Sequence, residues 1–485
     1  MSLALPEGVQ ALSLDEAVTK TRLSGFLSVR GGQLRDDDIA YLNTLDDEMS
    51  FSEESVFGLQ ADTTLNDDVS VSLQMKNDNG NGRVEMEWAY AEYAFASDLK
   101  ARVGRLRAPG FMLSEFLDVG YAYPWVNVPE EVYGWLPFSR YEGVDLRYWK
   151  SVGPLDLRIT PYGGSTSGQK LILGNAEYTD QSSQFGGIDL QASYDIFTVR
   201  AGYSRYNFTL SNSSWDRFVN GAIDGTVISP YAGPAYPEIR RPGFIDFVED
   251  VLGAVQRTQG DDVLSIAQTV FGADPALVAA ERQSLQDQLG PYRQVPGMDG
   301  SYSGEFSGVG FSLDDGTLMV MSELSRSSIG GVYPDVDSGY FMVGRRFGTL
   351  MPHFTVAKMY TTDDGERPDL RPLDFNPDIW NLNGVLMQAV DGANTYTDVL
   401  ISVSELVRLE QERYTLGLRW DASENLAIKA EVFQVRLKNG SYGFALPSSI
   451  TQLADSGGAQ TATDVEIPPP PEHISGMKLS LDMVF

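Results

Sequence analysis

From Met477 onward, hydrophobic and polar positions alternate. Met477, Leu479, Leu481, Met483 and Phe485 fall on one side, and Lys478, Ser480, Asp482 and Val484 on the other. A period of two marks a strand with one apolar and one mostly polar face. The pattern recurs along most of the chain and is clearest at Val69, Val71, Leu73 and Met75 against Ser70, Ser72, Gln74 and Lys76. It predicts strands at 22–30, 54–64, 69–76, 83–95, 101–107, 141–149, 154–162, 187–194 and 197–210. It predicts more at 302–313, 317–325, 339–347, 350–361, 408–420, 425–438 and 474–485, sixteen in all.

The connections sort into two kinds. Those after the even-numbered strands are a few residues long, as at Asn66-Asp67-Asp68, Ser97-Asp98, Asp195 and Asp314-Asp315-Gly316. Those after the odd-numbered strands are mostly long, with one tight exception at Asn77–Gly82, whose Asn/Asp/Gly composition signals a hairpin. Short turns at one rim and long loops at the other are the arrangement of an outer-membrane barrel, and a soluble sandwich has no reason to sort its links this way. The expected fold is therefore all-β: a 16-stranded antiparallel transmembrane β-barrel over 22–485, with long extracellular loops. The strand at 474–485 should close it by pairing with 22–30, because a barrel in lipid cannot leave an edge unpaired. Residues 1–21, with a helix-compatible piece at Ala11–Lys20, form a periplasmic lead-in. A long extracellular insertion at 211–300 is partly helical, at Phe244–Arg257, Asp262–Phe271 and Pro275–Leu289. Trp88, Trp149, Tyr148, Tyr203 and Trp420, near strand ends, read as an interfacial girdle.

Composition agrees. Hydrophobic residues make up 42% of the 485, with 48 Gly, 23 Tyr and 23 Phe. No window approaches the roughly 20 apolar residues of a spanning helix. With no cysteine, disulfides and thiolate metal sites are excluded. The net charge of −31 argues against a nucleic-acid partner. The start of the chain lacks the charged and apolar regions of a signal peptide, so the expectation is a mature bacterial outer-membrane sequence in contact with the lipid bilayer and lipopolysaccharide.

The run Tyr90-Ala91-Glu92-Tyr93-Ala94-Phe95, then Arg102-Val103-Gly104-Arg105 and a long loop, resembles a passage of the Gram-negative trimeric porin superfamily. Phe485 is similar to the terminal aromatic that serves those barrels as an assembly signal. The resemblance implies a homotrimer and a third loop, here 108–140, folded into the lumen as a constriction. The large insertion departs from the compact general porins.

On that loop lie Glu115, Asp118, Glu130 and Glu131, with Tyr121, Tyr123, Trp125 and Tyr133. Strand parity turns Arg22, Arg30, Lys76, Arg147, Arg158, Arg200, Arg413, Arg419, Lys429 and Lys478 inward. Arg102 follows by alternation; Arg105 follows only if Gly104 supports a bulge, which the resemblance implies. Acids on the loop facing bases on the wall would set a transverse field across the eyelet, a charge filter of the kind pores use. The bland alternative is that these charges solvate a wet interior. Tyr121–Trp125 could form an aromatic sugar slide. Asp36, Asp37 and Asp38, with Asp46-Asp47-Glu48, offer the hard oxygen ligands calcium takes, although such runs are more often solvated loop.

Catalysis has no local signature, since His353 and His473 stand far apart without a nucleophile elbow or metal spacing. The expected function is a pore for passive diffusion of ions and small hydrophilic solutes, preferring cations or neutral molecules. The alternatives are a substrate-specific channel for a sugar or carboxylate, and a surface receptor or adhesin occluded by 211–300.

Overall fold

The computed structural model describes residues 19–37, 39–42, 44–78, 83–134, 140–166, 170–173, 176–211, 274–288, 301–328, 334–362, 371–381, 401, 408–447 and 469–485. Sixteen strands build the wall: β1 (Thr21–Leu34), β2 (Val56–Thr64), β3 (Val69–Asp78), β4 (Arg83–Ala96), β5 (Leu99–Arg107), β6 (Arg140–Val152), β7 (Leu155–Thr166) and β8 (Ala176–Tyr194), followed by β9 (Phe197–Ser211), β10 (Ser301–Asp314), β11 (Leu318–Ser328), β12 (Val336–Arg345), β13 (Leu350–Thr361), β14 (Gln411–Ser423), β15 (Leu426–Leu437) and β16 (His473–Val484). Each pairs antiparallel with its sequence neighbours. β16 lies between β15, with Leu426 opposite Met483, and β1, with Phe26 opposite Val484. The expected closure of last strand on first is therefore what forms, and the barrel has no free edge.

Alternation dictates which side each residue takes. Leu59, Val103, Val144, Leu416 and Val432 stand about half or more exposed on the outside, whereas Lys429, Lys478 and Asp482 are buried inside. This inverts the polarity of a soluble protein. Such an apolar exterior needs lipid against it, at about 1.5–3 kcal/mol for each large aliphatic side chain taken from water.

Two departures from simple alternation matter. Between β3 and β4, Gln74 faces Trp88 while Met75 faces Met86, so Glu87 is an extra residue in β4. This bulge turns Trp88 to the inner face and removes it from the expected girdle. Trp149, opposite the inward Arg158, also faces inside, while Tyr148, Tyr203 and Trp420 remain on the exposed outer face. The second departure is β8, which begins well before the expected Gly187. Its polar start pairs with Lys170–Leu173, β7 and β9 through the backbone, which needs no apolar pattern.

The turns after β2, β4, β6, β8, β10, β12 and β14 are all tight. Of the insertion, only the helix Pro275–Gln288 lies among the described residues. It docks on the β13–β14 connection, where Asn376 N donates to Glu281 (3.0 Å) and Gln288 Nε2 to Asp374 O (3.1 Å). The two earlier helices expected in the insertion, and residues 1–18, lie outside the described residues. At the long-loop rim, Ile39–Tyr41 pairs with Ala445–Pro447 in a two-stranded lid not foreseen from sequence.

Candidate functional site

After β5 the chain turns into the barrel, and residues 108–134 circle the inner wall. Apolar side chains anchor this loop. Phe111, Trp125, Val128, Val132 and Tyr133 are buried. The Phe111 ring packs edge-on to Phe306 at 4.8 Å, and Trp125 edge-on to Tyr340 at 5.4 Å. Glycines let the loop lie close. A Cβ on Gly310 would stand 2.4 Å from Met112, and one on Gly120 2.0 Å from Asp482 Oδ1.

Polar contacts then fix the register. Arg200 donates to Met112 O (3.1 Å), and Met112 N to Glu323 (2.9 Å). Glu115 meets Arg147 and stands 3.9 Å from Arg158. Asp118 bridges Lys76 (3.0 Å) and Arg107 (2.7 Å). Tyr123 OH accepts from Arg30 (2.9 Å). Arg419 donates to the carbonyls of Tyr121 and Tyr123, and Lys429 to those of Gly120 (2.6 Å) and Trp125 (2.7 Å). Trp125 Nε1 donates to Thr355 (2.8 Å), and Val126 N to Glu431 (3.0 Å). In the short helix Glu130–Tyr133, Glu130 pairs with Arg413 and with Lys478 (3.0 Å), Glu131 accepts from Gln411 (2.7 Å), and Tyr133 donates to Glu323.

The structure thus gathers Arg30, Lys76, Arg147, Arg158, Arg200, Arg413, Arg419, Lys429 and Lys478 onto the loop that carries Glu115, Asp118, Glu130 and Glu131. Three expectations need correction. The acids and bases touch one another directly and are not held apart across a gap, so their charges largely cancel locally. Arg105 is not in the lumen. Gly104 does take φ +135°, but Arg105 shares the face of exposed Val103 and pairs with Glu142 on the outside. Tyr123 and Trp125 are packed into the wall, 1% exposed each, and Tyr121 lies under Arg419, so they form no open slide. Arg102 does face inward but closes on Asp145. Arg22 stands opposite Asp62 near the short-turn rim, away from the loop.

The inward acids of the wall were missed. Asp145, Asp189, Glu323, Glu431 and Asp482 carry as much of the network as the bases, and the same parity rule places them.

Environment tunes the loop carboxyls. Burial works against ionisation of Glu115, but Arg147 and then Arg158 hold it below its usual range. Asp118 is likewise partly buried and held well below the ordinary value by Arg107 and Lys76. Glu131 goes the other way, because its burial outweighs the help of Arg413.

Of the suggested calcium ligands, two of the first three lie among the described residues. Asp36 accepts the backbone N–H of Ser475 (2.8 Å), and Asp38 lies outside the described residues. Among the described residues no group of three or more His, Asp or Glu is disposed to hold a metal. The lid meets the loop instead. Tyr41 OH accepts from the same Gln411 amide that serves Glu131 (2.8 Å), and Phe444 lies against Gly134.

A closed sixteen-stranded antiparallel barrel with an apolar exterior and the long connection after β5 folded into its interior has the architecture of a transmembrane β-barrel. No family model and no curated protein matches the sequence. Similar solved structures include an anion-selective porin from Comamonas acidovorans, at 10% identity and TM-score 0.46 over 96% of this chain and 99% of that one. OmpF of Salmonella typhi in complex with daunomycin is similar at 11% identity and TM-score 0.47, over 96% and 97%. The outer-membrane channel DcaP of Acinetobacter baumannii is similar at 10% identity and TM-score 0.44, again over 96% and 97%.

Proposed function

We propose that the protein is a diffusion channel of the bacterial outer membrane for small ions and hydrophilic solutes. Its long loops face outward, its short turns face the periplasm, and residues 108–134 form its constriction. The observation that carries this reading is the stapling of that loop around the inner wall. A structural plug would need no charged rim, and a free loop would set no fixed aperture. Because the loop acids are paired with wall bases, selectivity between small ions should be weak. The acidic excess in the outer loops is screened over about 8 Å at physiological ionic strength. This favours the neutral-solute side of the expectation from sequence. A homotrimer, the assembly the porin resemblance implies, completes the proposal.

Planar-bilayer recording of the purified protein tests it. Stable ohmic steps in potassium chloride with a reversal potential near zero are expected. An absence of steps overturns the channel, and a strongly cation- or anion-selective reversal potential overturns the weak selectivity. The mass of the detergent-solubilised complex tests the trimer.

A further inference from the structure

At one sector of the inner wall three arginines share two ion-pairing carboxylates. Among the described residues Arg147, Arg158 and Arg200 make their ion pairs with Glu115 and Asp189, and Glu323 also lies in the field of Arg200. Asp189 is taken by Arg200 at 2.6 Å and is 3.4 Å from Arg158. The neighbouring Arg102 is closed on Asp145. Arg158 is therefore under-served: among the described residues its Nε has no hydrogen-bond partner, and neither has Nη2 of buried Arg200. Glu115 comes from the loop, and its two carboxylate oxygens point one to each guanidinium, Oε1 to Arg147 and Oε2 to Arg158. All three of these side chains remain 17–19% exposed, so solutes in the lumen can reach them. Phe116, next to Glu115 in sequence, is 49% exposed.

A planar guanidinium pair is built to grip a carboxylate through directed, charge-assisted hydrogen bonds. We propose that Arg147 and Arg158 form a binding site for small organic carboxylates, that Glu115 occupies it as a tethered stand-in, and that a passing solute carboxylate displaces Glu115. This rests on the channel reading and names the solute class it would retard and hold. Displacement exchanges one carboxylate for another, so the cationic pair is never left unpaired.

The test uses the full-length channel in a planar bilayer, with benzoate as the probe added to potassium chloride. Brief, saturable interruptions of the current are expected. Glu115→Gln removes the tethered competitor and should lower the half-saturating benzoate concentration by about tenfold, since a tethered group competes at an effective concentration in the millimolar range. Arg158→Gln should abolish the interruptions. Unchanged benzoate half-saturation in Glu115→Gln overturns the stand-in, and interruptions of equal strength with inorganic phosphate overturn carboxylate recognition. A channel that conducts but ignores benzoate defeats this inference alone, whereas a protein that does not conduct defeats the channel reading beneath it.

Discussion

Lys429 on β15 and Asp482 on β16 are both fully buried and 2.9 Å apart. The same ammonium donates to the carbonyls of Gly120 and Trp125, so one ion pair in the wall clamps both ends of a loop segment. Breaking a buried pair by removing one partner leaves the other charge uncompensated, at about 3–5 kcal/mol. Lys429→Met should therefore release residues 120–125, with a larger or noisier single-channel conductance and a lower melting temperature. Replacing both partners together, Lys429→Met with Asp482→Leu, should recover much of the stability while leaving the loop loose. A double variant as unstable as the single one would count against the pair as the cause.

Gly120 sits where any side chain would strike Asp482 and Ser28. Gly120→Val should push the loop from the wall and change the conductance with little loss of barrel assembly, which heat-resistant migration on gels would monitor. Gly153, with nothing near its Cβ position, has a left-handed φ of +62° and sits in a tight turn. Gly153→Asn should leave the conductance unaltered.

The acid sensitivity of the constriction follows from Glu115 and Asp118. A carboxyl whose folded pKa lies below its unfolded value contributes stability that is complete above the unfolded pKa, about 4, and is lost as pH falls through the lower folded value. Both carboxyls are held down in this way by their arginine and lysine partners. The contacts of Glu115 and Asp118 should thus hold from pH 7 to about pH 4.5 and give way only in stronger acid, whereas Glu131, whose carboxyl burial raises, takes up its proton at a higher pH than they do. A conductance transition near neutral pH that persists in Asp118→Asn with Glu115→Gln would show that other groups govern the loop.

Tyr41 ties the lid to the loop through Gln411. Tyr41→Phe loses one buried hydrogen bond, about 1 kcal/mol. Tyr41→Ala also opens a cavity, and large aromatic truncations cost about 3–5 kcal/mol. Hydrogen exchange at residues 39–41 and 445–447 should rise modestly in the first variant and strongly in the second. Equal protection in both would mean the lid is held elsewhere.

Phe485 closes the seam by exchanging backbone hydrogen bonds with Gly25, and its ring lies over that glycine. Phe485→Ala should slow membrane assembly and leave the conductance of assembled channels unchanged. Normal assembly would remove the role that the sequence resemblance suggested for it.

Alternation along the chain by itself determined the sixteen strands, their sorted connections and the closure of β16 on β1. Lipid outside and water inside impose a period-two code that each strand must satisfy alone. It also named the bases that face the lumen, because facing inward is a local property. Where the backbone slipped by one residue, at Glu87, the code failed and Trp88 changed sides. Only the tertiary structure decided what the charges do. Whether Glu130 stands across a gap from Arg413 or touches it depends on how far the loop is drawn in. That distance is set by Phe111, Trp125 and Val132 packing against residues hundreds of positions away, and by glycines that let two backbones meet. The lid was hidden for the same reason: Ile39–Tyr41 and Ala445–Pro447 become a sheet only because barrel closure brings the two loops to the same rim.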